Sequence, residues 1–206
     1  MSTLTESIPA GLSVSTAPSY EPVTLAEAKL HLRVDHSADD TKISGIITQA
    51  REQVEKDCRR TLMKTTLRLT LDRFPQYGRG GTIRIPNPPL LSVSSITYTD
   101  TAGDSQTVAA ADYRVDIYKE PGIVEPAYGD SWPATRDQTG TVIVNYIAGY
   151  SSSATESTQQ AAVPASAKAA ILLLVESLYK DRGPVVIGLN NTYDAVLAPL
   201  MWGGYS

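Results

Sequence analysis

From Asp39 to Leu62 the side chains Ile43, Ile46, Ile47, Ala50, Val54 and Cys58 recur at three- and four-residue steps. That period predicts an amphipathic helix. Asp39 and Asp40 stand where N-cap and first-turn acids belong, and Arg59, Arg60 and Lys64 stand at the far end, so both ends suit the helix dipole. Glu52 with Lys56 and Glu55 with Arg59 are i,i+4 pairs, each expected to add about 0.2–0.5 kcal/mol on an exposed face. A single helix cannot bury such a stripe. Its expected companions are a short helix from Leu25 to Leu32, opened by a Thr24–Glu27 capping box, and a longer one from Ser166 to Tyr179. In the longer helix Ala167, Ala170, Ile171, Leu174, Val175 and Leu178 form a stripe that Leu172 and Leu173 widen past half the circumference. Pro164 fits its first turn, and Gly183-Pro184 stops it.

Between these helices the period falls to two. Leu67, Leu69 and Leu71 alternate with Arg68, Thr70 and Asp72, the pattern of a half-buried strand. Further strands are expected at Ile83–Ile85, Val93–Tyr98, Gln106–Val108, Tyr113–Ile117 and Ile123–Val124. The clearest follows Gly140, with Val142, Val144 and Tyr146 on one face and Ile143, Asn145 and Ile147 on the other. Ile143 and Ile147 imply burial on both faces or contact with another subunit. The fold class is therefore α+β: an α-helical bundle with an inserted antiparallel β domain of sandwich or partly open barrel type.

The remaining stretches complete a division of the chain. Residues 1–22, rich in Ser, Thr and Pro, predict a flexible or extended arm; 23–64 and 164–183 form the bundle; 65–150 form the β domain; and 151–163 read as a polar linker. The tail, 184–206, is apolar with the single charge Asp194, so it must be buried in its own fold or in a partner.

Composition narrows the chemistry. A chain of 206 residues can bury roughly 70% of its unfolded surface, and with one cysteine it has no intramolecular disulfide. Two histidines and one cysteine exclude a common structural zinc site. The net charge of −4 and the absence of a Lys/Arg block argue against gripping a phosphate backbone. No leader pattern opens the chain and no run reaches the ~18 apolar residues of a membrane span, so no membrane partner is expected. No nucleophile elbow accompanies His31 or His36, Gly78–Gly81 lacks the Lys-Ser/Thr of a phosphate loop, and Trp132-Pro133 reads as a loop anchor. Catalytic, metal and cofactor sites are all expected to be absent.

Several stretches, taken in order, resemble the head-tail connector (adaptor, head-completion) proteins of long-tailed bacteriophages, prophages and gene transfer agents. They are Pro22-Val23-Thr24-Leu25-Ala26-Glu27-Ala28-Lys29 with Asp39-Asp40, then Ala50-Arg51-Glu52-Gln53-Val54-Glu55, and Pro86–Pro89. Tyr113-Arg114-Val115, Trp132-Pro133, Tyr146-Ile147-Ala148-Gly149-Tyr150 and Val163-Pro164 follow. The resemblance spans about Pro22 to Tyr179 and implies a structural virion subunit at the head-tail interface, assembled in the host cytoplasm. Such proteins form a ring, typically of twelve, beneath the portal protein. The ring extends a channel through which DNA passes without sequence-specific binding, and it offers a docking surface to the tail or a stopper protein. On that view Tyr193, Leu197, Leu200, Met201, Trp202 and Tyr205 dock into the portal, and Leu172, Leu173, Ile143 and Ile147 meet neighbouring subunits. The rival reading is a virion-associated β module that binds a glycan through the Trp132 loop. A catalytic reading would require converging carboxylates, for instance Asp112 and Asp116.

Overall fold

The computed structural model describes residues 10–76, 81–180 and 191–201. These divide into two compact units, one of Pro18–Lys64 with Gly149–Ser206 and one of Met1–Ala17 with Thr65–Ala148.

The first unit is helical. Helix α1 (Leu25–Leu32) starts at the expected capping box: the Thr24 side chain accepts from the Glu27 N–H, and the Glu27 carboxylate accepts from the Thr24 N–H at 2.7 Å. Helix α2 (Asp40–Cys58) buries the whole predicted stripe, Ile43 through Cys58. It stops earlier than its pattern predicts, because Arg59 turns left-handed at φ 53° and its N–H closes on the Glu55 carbonyl. Leu62 and Met63, beyond that turn, still enter the core. The stop breaks the expected Glu55–Arg59 pair; Glu55 instead accepts from Arg51 at 2.6 Å, Glu52 faces Arg51 at 3.6 Å, and Gln53 donates to Asp57 at 2.7 Å. Asp39 holds the N-cap position without a side-chain cap; its carboxylate accepts from the Tyr179 hydroxyl at 2.6 Å.

Helix α4 (Ala165–Lys180) completes the core with Ala167, Ala170, Ile171, Leu174 and Val175 buried against the α2 stripe. Two sequence readings are corrected here. The linker 151–163 contains helix α3 (Glu156–Ala162), tied down by Gln159, which is buried and donates to the Ser153 carbonyl at 2.9 Å. In the tail, helix α5 (Asn191–Leu197) and a single 3-10 turn (Ala198–Leu200) place Tyr193, Leu197 and Leu200 in this unit's own core. Gly149 is required where the chain enters the unit: at φ +136°, a Cβ there would stand 2.8 Å from the Met63 carbonyl oxygen.

The second unit is two antiparallel sheets around one core. The larger runs in the order β1-β2-β8-β4-β5 and the smaller β3-β7-β6. The strands are β1 (Ala10–Thr16), β2 (Thr65–Leu71), β3 (Ile83–Ile85), β4 (Leu90–Thr99), β5 (Ser105–Thr107), β6 (Tyr113–Asp116), β7 (Gly122–Pro126) and β8 (Val142–Ala148). Seven of these correspond to predicted strands. The eighth, β1, lies in the arm and takes the extended one of its two expected forms: Gly11–Thr16 alternates apolar and polar residues and pairs with β2. Short, Ser-rich strands of this kind are easily read as disordered, because the ladder hydrogen bonds that hold them come from residues distant in sequence.

Strand β8 is central, flanked by β2 and β4. Its Val142, Val144, Tyr146 and Ala148 face inward with Leu67, Leu69 and Leu71, meeting Ile83, Ile85 and Val124 of the smaller sheet. The Tyr146 hydroxyl, inside that core, donates to the Pro86 carbonyl at 3.0 Å.

Candidate interaction surfaces

The polar clusters of the helical unit are built to hold its core. Arg51, 6% exposed, donates through Nε to Glu21 at 2.8 Å and through Nη1 to Glu55, while the other Glu55 oxygen accepts the Leu62 N–H at 2.7 Å. Thr48 also donates to Glu21, at 2.8 Å. A buried charge saturated in this way has no lone pair aimed at a ligand. Cys58 behaves as a core hydrophobe: burial pushes its thiol up to about 11, the direction that suppresses thiolate chemistry. Among the described residues no three His, Cys, Asp or Glu side chains stand together as metal ligands. The Asp116 carboxylate serves local structure, facing Lys119 at 3.4 Å and accepting from the Tyr118 N–H at 3.0 Å, and the Asp112 backbone carbonyl accepts from the Ala127 N–H at 2.9 Å. No single described helix is long and apolar enough to cross a membrane.

Trp132 is an anchor. Its indole lies parallel to the Phe74 ring at 4.7 Å between centroids, and its Nε1 donates to the Gly81 carbonyl. Gly81 itself, at φ +86°, admits no Cβ beside Pro75 and the indole. One face of Trp132 and its indole N–H are therefore committed within the fold, and the half-buried ring lines a cavity of about 540 Å3 with Asp72, Arg73, Asp130, Arg136 and Asp137.

The sequence-predicted contact residues fall into three groups. Tyr193, Leu197 and Leu200 are 7%, 2% and 7% exposed and cannot dock elsewhere without opening the helical core. They are also fastened: the Tyr193 hydroxyl donates to Asp57 at 2.7 Å, and Arg60 Nε donates to the Leu200 carbonyl at 2.8 Å. Burial, and then the Asp57 contact, push the Tyr193 phenol well above its ordinary value, so it stays a donor. The three residues expected at the portal thus lie in this unit's own core. Met201 is 56% exposed, and Trp202 and Tyr205 lie outside the described residues.

The second group is on α4. Leu172 and Leu173 are half-buried, and Leu172 lines a groove of about 340 Å3 with Val23, Leu30, Glu27, His31 and Lys168. Leu30 is 82% exposed there, an apolar side chain that sequence periodicity assigns to no face. The third group is Ile143 and Ile147, half-buried on the outward face of β8. They are aligned with Thr70 and Thr97 on one row and Thr66 and Ser92 on the other. Between them on the same face Arg68 donates to Asn145 at 3.4 Å and Asn145 donates to Ser95 at 3.0 Å, so the two isoleucines flank a polar row.

Residues 22–112 match the family described as phage gp6-like head-tail connector proteins. The match runs from the α1 capping box through α2 into the β unit, over much of the stretch where the sequence resembles connectors.

Solved structures share the fold of nearly the whole chain. A chain from the neck of an empty gene transfer agent particle, computed with C6 symmetry, aligns at a TM-score of 0.76 and 22% identity, covering 95% of this chain and 100% of that one. A chain from the virion of the native gene transfer agent particle gives 0.73 and 23%, covering 94% and 98%. One from the native neck, computed with C12 symmetry, gives 0.71 and 21%, covering 95% and 100%. No significant match was found among curated proteins. The shared fold supports the α+β architecture read from the sequence.

Proposed function

We propose that this chain is a structural subunit of a virion or virion-like particle, a head-tail connector that forms a ring under the portal protein. The ring extends the DNA channel and receives the tail or a stopper protein. The observation that carries the reading is the family match over residues 22–112, joined to a fold shared along 95% of the chain with a particle-neck subunit. The residues fit a scaffold role: the buried ions are spent on each other, and the apolar outer positions Ile143, Ile147, Leu172 and Leu173 suit contacts with neighbouring copies. A mildly acidic chain, −4 overall, suits a channel in which DNA slides without sticking. The portal contact falls to Met201, Trp202 and Tyr205, with Tyr193, Leu197 and Leu200 serving as the foundation under them.

The test is electron microscopy of the purified chain mixed with the portal protein of the same genome. Annular density seated on the portal is expected. A chain that leaves the portal bare, or that binds glycans through Trp132 as a monomer, overturns the proposal.

A further inference from the structure

The β unit leaves four strands with an open edge among the described residues: β1 and β5 in the larger sheet, β3 and β6 in the smaller. Open edges are pairing templates, and folded proteins blunt them with shortness, charge or proline. Strands β3 and β5 are three residues long, and β3 carries Arg84. Strand β6 is four residues long and carries Arg114 and Asp116. Strand β1 has none of these protections. It is seven residues, Ala-Gly-Leu-Ser-Val-Ser-Thr, without charge or proline, and its pairing is regular from Ala10 to Val14 before the register shifts at Thr16.

Its inward face adds a second observation. Leu12 lies opposite Leu69 and Val14 opposite Leu67, and those leucines are 2% and 3% exposed in the core. Leu12 and Val14 point to the same side of the sheet yet are 42% and 61% exposed. The apolar face thus continues one strand beyond the layer that covers it. The alternation of Leu12 and Val14 with Ser13 and Ser15 is that of a half-buried strand whose cover is missing.

We propose that the open edge of β1, with Leu12 and Val14, is an interface with a second copy of this chain, which adds a strand to the edge and covers the two side chains. This rests on the ring reading above. A ring needs a head-to-tail contact, in which a surface on one subunit meets a different surface on the next. A bare strand edge suits that contact, because its main-chain groups accept any partner strand while its apolar side chains fix the register. An edge without charge also calls for an uncharged partner. The similar chains from particle necks occur in assemblies computed with C6 and C12 symmetry, where every subunit has a neighbouring copy.

The experiment uses the full chain, alone and with the portal protein of the same genome. Three proteins are compared by sedimentation and electron microscopy: wild type, the double variant Leu12→Lys/Val14→Lys, and a control, Thr158→Lys, on helix α3 away from every strand edge. All three substituted positions are exposed, so thermal unfolding should be unchanged. Wild type and control should form rings, and the double variant should lose self-association at least tenfold. Rings from the double variant at wild-type concentration overturn the edge contact alone; a wild type that never assembles overturns both this contact and the ring reading. A Val14→Cys variant gives a second readout. Its thiol should react with an alkylating reagent in the free subunit and be protected at least tenfold in the ring, with buried Cys58 silent in both. Equal reactivity in the two states overturns the proposal.

Discussion

The two ends of the described chain carry short segments of similar character and opposite fate. Near the C-terminus α5 and its 3-10 turn bury Tyr193, Leu197 and Leu200 in the helical core. Near the N-terminus β1 leaves every described side chain from Gly11 to Thr16 exposed, Leu12 and Val14 included. Sequence alone says that the apolar tail must be covered, but leaves open whether by its own fold or by a partner, and it gives the arm no need of cover. The difference is one of cover: α5 lies on the exposed part of a helical stripe too broad for α2 to fill, whereas β1 extends a sheet past its facing layer. Apolar content therefore says that a segment needs a partner, and the surrounding fold decides whether the partner is already present.

The sharpest way to break this contrast is to charge the buried end. Leu197→Asp places an unpaired carboxylate in the helical core and should cost more than about 4 kcal/mol, abolishing cooperative unfolding of that unit by circular dichroism. Retention of a wild-type melting curve would return α5 to the role of a detachable tail. The milder Leu197→Ala should cost about 2–5 kcal/mol by cavity formation, read from denaturant midpoints. At the start of the same unit, Thr24→Ala removes the N-cap of α1 and should cost about 1 kcal/mol.

That cap also has a pH signature. The Thr24 backbone hydrogen bond holds the Glu27 carboxyl below its ordinary value. A lowered folded pKa means stability that is present above the unfolded value and lost as pH falls through the folded one. Glu27→Gln should therefore destabilise at pH 7 and leave stability nearly unchanged at acid pH, where equal losses at both would deny the charged form its part. The smallest effects belong to the exposed end. Leu12→Ala and Val14→Ala should each shift the stability of the isolated subunit by less than about 0.5 kcal/mol, since most of their surface is already in water. A loss near that of Leu197→Ala would mean that β1 is as well covered as α5, and the comparison would fail.

Much of the fold was legible in local pattern. The α1 capping box, the α2 stripe from Ile43 to Cys58, the breadth of α4 and seven of the strands follow from periodicity and turn residues within a few positions of each other. Strand β1 and helix α3 were not legible, since Ser-rich segments gain their structure from a neighbour's ladder or from a buried tie such as Gln159. Of the contact residues, sequence located Ile143, Ile147 and Leu172 at partly open positions but could not tell Leu197 from Met201. Nor did it point to Leu12, Val14 or Leu30, whose exposure depends on where the facing layer ends.

The order of residues by itself determined which segments are helix or strand and which of their faces are apolar, because those properties repeat over distances of two to four residues. Tertiary structure alone decided which apolar faces are already covered. Coverage depends on surfaces brought together from segments far apart in the chain, as Arg60 with Leu200 and Asp57 with Tyr193 are, and no local period records such a meeting.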